Sequence, residues 1–169
     1  LRVDAADHIV DDTSHPFLEE LVTAVHEIGE AQGRTVLTFF ETSANDPRTV
    51  TPPPLGIGSD AQWLDEFHHA IRVAVTGDRR GYYVDYVGAR DLAEIVEHRF
   101  TYRGRYSEHR DKRHGRDAGH LPPHRFLVCD QNHDQVGNRP DGARLDTLVD
   151  LERRKLALAA VLLSPYVPM

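Results

Sequence analysis

The order of apolar and polar segments predicts an α/β protein that forms part of a (β/α)8 TIM barrel. Short apolar runs alternate with helical segments, which is typical of parallel strands joined by helical crossovers. Charged or polar residues follow several of these runs directly, as they do at the active face of a barrel. A whole barrel needs about 250 residues, so the 169 residues of this chain are expected to supply only part of one.

Residues 1–4 are predicted to end a strand. Alternation along it places Arg2 and Asp4 on one face, where a guanidinium keeps a carboxylate ionised by Coulomb attraction and hydrogen bonding. Taken alone, such a motif is usually an ordinary surface ion pair. The following segment has an apolar stripe at helical spacing, which predicts a helix that begins at Pro16 and ends at Gly33.

A second strand is predicted over residues 35–40, which carry no charge and lead directly to Glu41. The ring of Phe40 would raise the pKa of the Glu41 carboxyl by desolvation if the two side chains share a wall. Residues 42–60 contain several prolines and glycines. They are predicted to form a long loop at the active face, because strand and helix patterns resume after it.

The middle of the chain is predicted to contain a very short strand over residues 61–63 and a helix that stops at Gly77. Apolar spacing predicts another helix over about residues 89–98. Residues 101–124 are basic and contain glycine and histidine. Such a composition is typical of a solvated loop.

The last third is predicted to contain a buried strand over residues 126–129, followed at once by six polar side chains and a turn. Thr147 and Asp150 can cap a final helix. Residues 156–163 at its end are apolar on every side and are therefore expected to be buried. Another extended segment begins at residue 165.

Composition disfavours several classes of protein. A hydrophobic content of 40% and a charged content of 28% are typical of a globular chain. The net charge of −7 argues against a nucleic-acid partner, and the longest apolar run is too short to span a membrane. The single cysteine, Cys129, permits no internal disulfide, which favours the cytoplasm.

Three short motifs follow three predicted strands in the order Arg2-Val3-Asp4, Glu41 and Asn132-His133-Asp134. They resemble the α-amylase superfamily of retaining glycoside hydrolases. Longer strings within residues 60–83 and 131–139 resemble one family of it, the maltooligosyltrehalose trehalohydrolases. The resemblance covers essentially the whole chain. It implies that residues 1–169 are a partial catalytic domain, from about strand four to strand eight, without the N-terminal half of the barrel or the flanking β-domains.

The resemblance implies hydrolysis of the α-1,4-glucosidic bond next to the trehalose unit of maltooligosyl-trehalose, in trehalose biosynthesis, without metal or organic cofactor. It implies that Asp4 is the nucleophile, Glu41 the general acid/base and Asp134 the transition-state stabiliser. The residues expected to bind the oligosaccharide are Arg2, His133, Asn132, Gln135, Trp63 and His8. Asp7 departs from the family, which carries a His at its position, so the sugar contacts of the acceptor side stay open.

Strand spacing gives an independent reason to pair the first two carboxyls. A retaining glycosidase needs its two carboxyls about 5–5.5 Å apart, and adjacent strands lie about 4.8 Å apart. Asp4 and Glu41 follow consecutive predicted strands. We therefore expect their carboxyl carbons to lie within roughly 7 Å of each other, with Asp134 on the same face.

Three alternatives remain open. The chain could belong to another α-amylase-type enzyme, such as an amylase or a branching enzyme. It could be a zinc enzyme, although none of its 11 histidines has a metal-binding spacing. It could also be an inactive half-barrel fragment that closes its open sheet edges by association with a second copy.

Overall fold

A computed structural model describes all 169 residues, which form seven strands and six helices. The strands are β1 (Arg2–Val3), β2 (Phe39–Phe40), β3 (Ala61–Trp63), β4 (Arg105–Ser107), β5 (Lys112–His114), β6 (Phe126–Val128) and β7 (Val167–Pro168). The helices are α1 (Phe17–Ala31), α2 (Asp65–Thr76), α3 (Ala89–His98), α4 (His133–Gly137), α5 (Leu145–Leu148) and α6 (Leu151–Leu163). No helix has both the length and the apolar character that crossing a membrane requires.

Five strands form one parallel sheet in the order β1-β2-β3-β6-β7. Every neighbouring pair is parallel, so the C-terminal ends of all five strands lie at the same edge of the sheet. The predicted α/β class and parallel sheet are confirmed. The side chains that follow β1, β2, β3 and β6 are thereby gathered at one edge.

Helix α1 covers the first part of this sheet. Pro16 precedes its first turn with the fixed φ that suits a helix start. Leu18 and Val22 pack on Phe40 in a small buried cluster that also contains Ala6. This packing fixes β2 against α1 and leaves the residue after Phe40 to face the opposite side of the sheet.

The main core lies on the same side of the sheet as α1, between Phe126 and Val128 of β6 and helices α2, α3 and α6, in a cluster of 18 buried residues. Phe67 of α2 meets Tyr166 edge to face at 5.8 Å. The Tyr166 hydroxyl donates a hydrogen bond to the Ile95 carbonyl. Helix α2 is therefore packed against Tyr166, which is itself hydrogen-bonded to α3. This packing holds the first turn of α2 near the C-terminal ends of the strands.

Residues 101–124 are not the featureless loop that their composition predicts. They contain an antiparallel hairpin, β4–β5, in which Tyr106 pairs with Arg113. The carboxylate of Asp85, outside the hairpin, accepts hydrogen bonds from the Ser107 hydroxyl at 2.7 Å and the Glu108 N–H at 2.7 Å. Gly115 lets the chain pass Tyr102, because a Cβ there would lie 1.9 Å from the Tyr102 carbonyl oxygen.

Two further expectations for the last third of the chain are corrected. The polar segment after β6 forms the short helix α4 instead of a simple turn. The end of α6 is not buried: Leu163 is 86% exposed, and Leu156, Leu158 and Leu162 are also exposed. Helix α6 packs mainly on α2 and α5, and these neighbours leave its exposed leucines uncovered.

Candidate active site

A pair of carboxyls from neighbouring strands shares one guanidinium. Asp4 follows β1 and Glu41 follows β2. The Nη2 atom of Arg2 donates to Asp4 Oδ1 at 2.6 Å and to Glu41 Oε2 at 2.7 Å. The Arg2 guanidinium itself lies over the Trp63 ring, 4.3 Å from its centroid. The Arg2 guanidinium, which packs on the Trp63 ring, therefore holds both carboxyls at the C-terminal ends of the strands.

The two carboxyls differ in their affinity for a proton. Burial, the hydrogen bond with Asp4 and the negative charge of Asp4 raise the pKa of Glu41 to about 7, against the Ala5 N–H and the Arg2 charge. The hydrogen bond from Glu41 and then the charge of Arg2 lower the pKa of Asp4. These opposite shifts favour protonation of Glu41 over protonation of Asp4, as the pairing of a general acid with a nucleophile requires.

The wall that desolvates Glu41 is not Phe40. Phe40 points away from it and packs on Leu18 and Val22 beneath α1. The expected sugar contact of Trp63 also does not fit the structure, because Trp63 is only 6% exposed and its face is covered by Arg2. Its role is to support the guanidinium.

The Asn132-His133-Asp134 motif reaches the same edge through β6. Asn132 caps α4, since its Oδ1 accepts from the Asp134 N–H at 2.8 Å. Gln135 completes the cap by accepting from the Asn132 N–H at 2.7 Å, and its Nε2 donates to His68 Nε2 at 3.0 Å. The Asn132 and Gln135 oxygens and the Gln135 amide are therefore engaged within the protein.

His133 and Asp134 are free to meet a ligand. The His133 side chain is 68% exposed, and its Nε2 lies 3.4 Å from Asp134 Oδ1. After Glu41 and Arg2, the charge of His133 also lowers the pKa of Asp4. The third motif follows β6 of the same parallel sheet, so it lies at the same sheet edge as the carboxyl pair.

Sequence reasoning missed Asp65, the first residue of α2. Burial raises its pKa to about 7, and the charges of Asp134 and Asp7 add to the increase. The signal was available, because a carboxyl soon after the 61–63 strand resembles the position of Glu41 after residues 35–40. Acidic residues are common in the first turn of a helix, so its position alone does not single it out.

Asp65 should make stability depend on pH. The folded-state pKa lies above the ordinary value of an aspartate, so burial of Asp65 costs no stability below about pH 4 and has its full cost above about pH 7. Asp65→Asn is expected to increase the free energy of unfolding by about 2–4 kcal/mol at pH 8. Denaturant unfolding from pH 4 to 8 should show the gain fading as the pH falls.

The matched control for this measurement is Asp12→Asn in an exposed loop, which should leave the free energy of unfolding nearly unchanged at every pH. A gain of equal size at pH 4 and pH 8 would contradict the assignment, because it would not come from the charge.

Asp7 and His8 lie on the turn after Asp4. Asp7 Oδ2 accepts hydrogen bonds from the Ser43 N–H at 3.1 Å and the Ser43 hydroxyl at 3.0 Å, so Asp7 joins the turn after Asp4 to the segment after Glu41. His8 is exposed, and its imidazole makes no hydrogen bond. A cavity of about 410 Å³ beside α1 is lined by Asp7 but by neither member of the carboxyl pair. No group of three or more His, Cys, Asp or Glu side chains could hold a metal ion.

The amino-acid sequence is similar to several curated proteins named malto-oligosyltrehalose trehalohydrolase. That of Saccharolobus solfataricus is 43% identical over 169 residues, covering 99% of this chain and 29% of the relative. That of Mycobacterium tuberculosis is 40% identical over 172 residues, covering all of this chain and 30% of the relative. That of Deinococcus radiodurans is 37% identical, covering all of this chain and 27% of the relative.

The fold is similar to a crystal structure from Salmonella typhimurium that is described as a candidate α-amylase. The TM-score is 0.88 at 35% sequence identity, over 99% of this chain and 29% of the other. The parallel sheet and its helices thus correspond to part of an α-amylase-like barrel. The assignment to barrel strands four to eight stays a prediction.

No family model matches the chain. The chain spans about three-tenths of the length of its curated relatives. The sequence similarity extends over essentially all of its residues, and the solved structure matches its whole fold. These comparisons identify the chain as a homologue of the malto-oligosyltrehalose trehalohydrolases, corresponding to about three-tenths of their length.

Proposed function

We propose that this chain carries the reacting carboxyls of a retaining glycoside hydrolase that releases trehalose from maltooligosyl-trehalose. The observation that carries the proposal is the pair of hydrogen bonds from Arg2 Nη2, to Asp4 at 2.6 Å and to Glu41 at 2.7 Å. They join two carboxyls that follow neighbouring strands. The opposite shifts of their pKa values fit the two roles of a retaining pair.

In this mechanism Asp4 attacks the anomeric carbon while Glu41 donates its proton to the glycosidic oxygen that leaves. The bond to the leaving sugar breaks as the Asp4–glycosyl bond forms. Glu41, now a carboxylate, then takes a proton from water, whose oxygen attacks the same carbon and frees Asp4. Two inversions give net retention.

The remaining groups have supporting roles. Arg2 disperses the negative charge of Asp4 and orients it. Asp134 and His133, both accessible at the same edge, are placed to accept and donate hydrogen bonds to ring hydroxyls as positive charge develops on the sugar. No step in this scheme uses a metal or an organic cofactor.

The substrate proposal rests on the names and similarity of the relatives, all of which are trehalohydrolases. The cleaved bond is proposed to be the α-1,4 linkage next to the trehalose unit.

Product analysis on the polypeptide as its gene encodes it tests the proposal. Maltotriosyl-trehalose should give trehalose and maltotriose, with the new reducing end first appearing as the α-anomer by NMR. Maltopentaose, which lacks the trehalose unit, serves as the control and should be cleaved far more slowly. Release of maltose or glucose without trehalose would assign the chain to a different α-amylase-type activity, and a β-anomer would exclude retention.

A further inference from the structure

A buried carboxylate, Glu66, joins two segments that are distant in sequence. Glu66 is the second residue of α2 and is 2% exposed. Its Oε2 accepts from the Thr101 N–H at 2.5 Å, and its Oε1 accepts from the Tyr102 N–H at 3.1 Å and the Asn45 Nδ2 at 2.5 Å. All three partners are donors, so the ionised carboxylate satisfies every one of them.

Asn45 lies four residues after Glu41 and is itself buried. Its backbone has a left-handed φ of 51°, which non-glycine residues adopt infrequently. While the Asn45 side chain bonds to Glu66, its carbonyl accepts from the Arg116 N–H at 3.0 Å. Two hydrogen bonds, one through the side chain and one through the backbone carbonyl, therefore hold Asn45 in place and maintain its unusual backbone conformation.

The hairpin segment makes a second contact with the same stretch. The Ser43 carbonyl lies 2.8 Å from His114 Nε2, and the Ser43 N–H and hydroxyl donate to Asp7. Residues 42–46 are therefore hydrogen-bonded to three parts of the chain. Asp7 binds them from the turn after Asp4, His114 and Arg116 bind them from the end of the β4–β5 hairpin, and Glu66 binds them from the start of α2. Glu66 also binds Thr101 and Tyr102, so it joins the start of α2 to the segment that leads into the hairpin.

We propose that Glu66 is a positioning residue for the acid/base carboxyl: it locks residues 42–46 to the base of the hairpin and so aims Glu41 at Asp4. The inference rests on the proposed function, because it assigns Glu66 a role in the same reaction. Glu66 touches neither Asp4 nor Glu41, so it acts through Asn45 and the intervening backbone.

A merely stabilising residue would be an unusual choice here. A buried carboxylate is costly, and well-packed apolar side chains often give equal or greater stability. Burial raises the pKa of Glu66 to about 7, although the N–H groups of Thr101 and Tyr102 oppose the shift. What an apolar side chain cannot supply is three directional bonds that fix Asn45 relative to Thr101 and Tyr102.

Two substitutions in the polypeptide as its gene encodes it test the inference. Glu66→Gln keeps the shape of the side chain but turns one acceptor into a donor, which must face an existing N–H. Asn45→Gly removes the side chain that Glu66 binds and tolerates the left-handed φ. Glu27→Gln, on an exposed part of α1, is the matched control.

Both variants are expected to lower kcat by about 10- to 100-fold with KM within about twofold, because the substrate still binds while the acid is misaligned. The upper pKa of the pH–rate profile should move, and amide hydrogen exchange should rise in residues 42–46 but not in α1. If Glu66→Gln fails to fold, Asn45→Gly alone decides the matter.

Folded variants with an unchanged kcat and pH profile would overturn the inference. If the unmodified polypeptide hydrolyses no α-glucoside, the proposed function fails instead. Hydrogen exchange still separates the two cases, because identical exchange of residues 42–46 in the variants and the unmodified polypeptide would refute the locking role whatever the activity.

Discussion

Glu41→Gln is expected to reduce kcat on maltooligosyl-trehalose by about 10²–10⁴-fold, the usual contribution of a general acid. Gln has nearly the same shape and can still accept from Arg2, but it has no proton to give to the leaving oxygen. Asp4→Asn should cost at least as much, because an amide cannot form the glycosyl intermediate. Initial rates at saturating substrate measure both effects, and Asp12→Asn is the surface control.

The pH dependence of kcat/KM gives a separate measurement of the same pair. Glu41 must be protonated to act, and its pKa is about 7, so activity should fall as the pH rises through 7. Asp4 must be ionised, and its pKa is lowered, so the acid limb should lie below the ordinary range of an aspartate. A Glu41→Gln variant with an unaltered rate would exclude Glu41 as the acid.

Residues 1–169 expressed alone are expected to self-associate and to show negligible hydrolysis. The sheet ends in β1 on one side and β7 on the other, and unpaired strand edges promote association. The exposed leucines of α6 add an apolar surface, whose burial is worth about 25 cal/mol per Å². Arg2 lies next to the first residue and should fray, which would loosen the carboxyl pair.

Sedimentation velocity of this 169-residue chain should therefore show species larger than a monomer. The double substitution Leu162→Lys and Leu163→Lys, at exposed positions of α6, should shift the distribution towards the monomer without unfolding the helix. A monodisperse monomer that hydrolyses maltooligosyl-trehalose at an enzyme-like rate would refute the prediction.

Periodicity and chain punctuation predicted most of the elements around the site, although the strand predicted over residues 35–40 is a strand only at Phe39–Phe40. The 61–63 and 89–98 segments have the predicted bounds, and Gly77 ends α2 with a positive φ. These features depend on local chemistry, in which a few residues decide the backbone conformation. The same is true of Pro16 at the start of α1.

The features that the sequence did not reveal depend on distant partners. The hairpin is fixed by Asp85, more than twenty residues before its Ser107 and Glu108 partners. Glu66 resembles any acid in the first turn of a helix, and only the folded chain brings Asn45 to it. Leu163 illustrates the opposite error, because an apolar residue is buried only where another surface covers it.

The carboxyl pair also has a consequence for the order of folding. Arg2 and Glu41 are 39 positions apart, and β1, α1 and β2 form one βαβ unit, so their contact closes a comparatively short loop. Asp134 instead follows β6, which pairs with β3 from a much later position in the chain. Because nearby contacts form faster than remote ones and synthesis proceeds from the N-terminus, the nascent chain can assemble Asp4 and Glu41 while the strand that delivers Asp134 is still being translated.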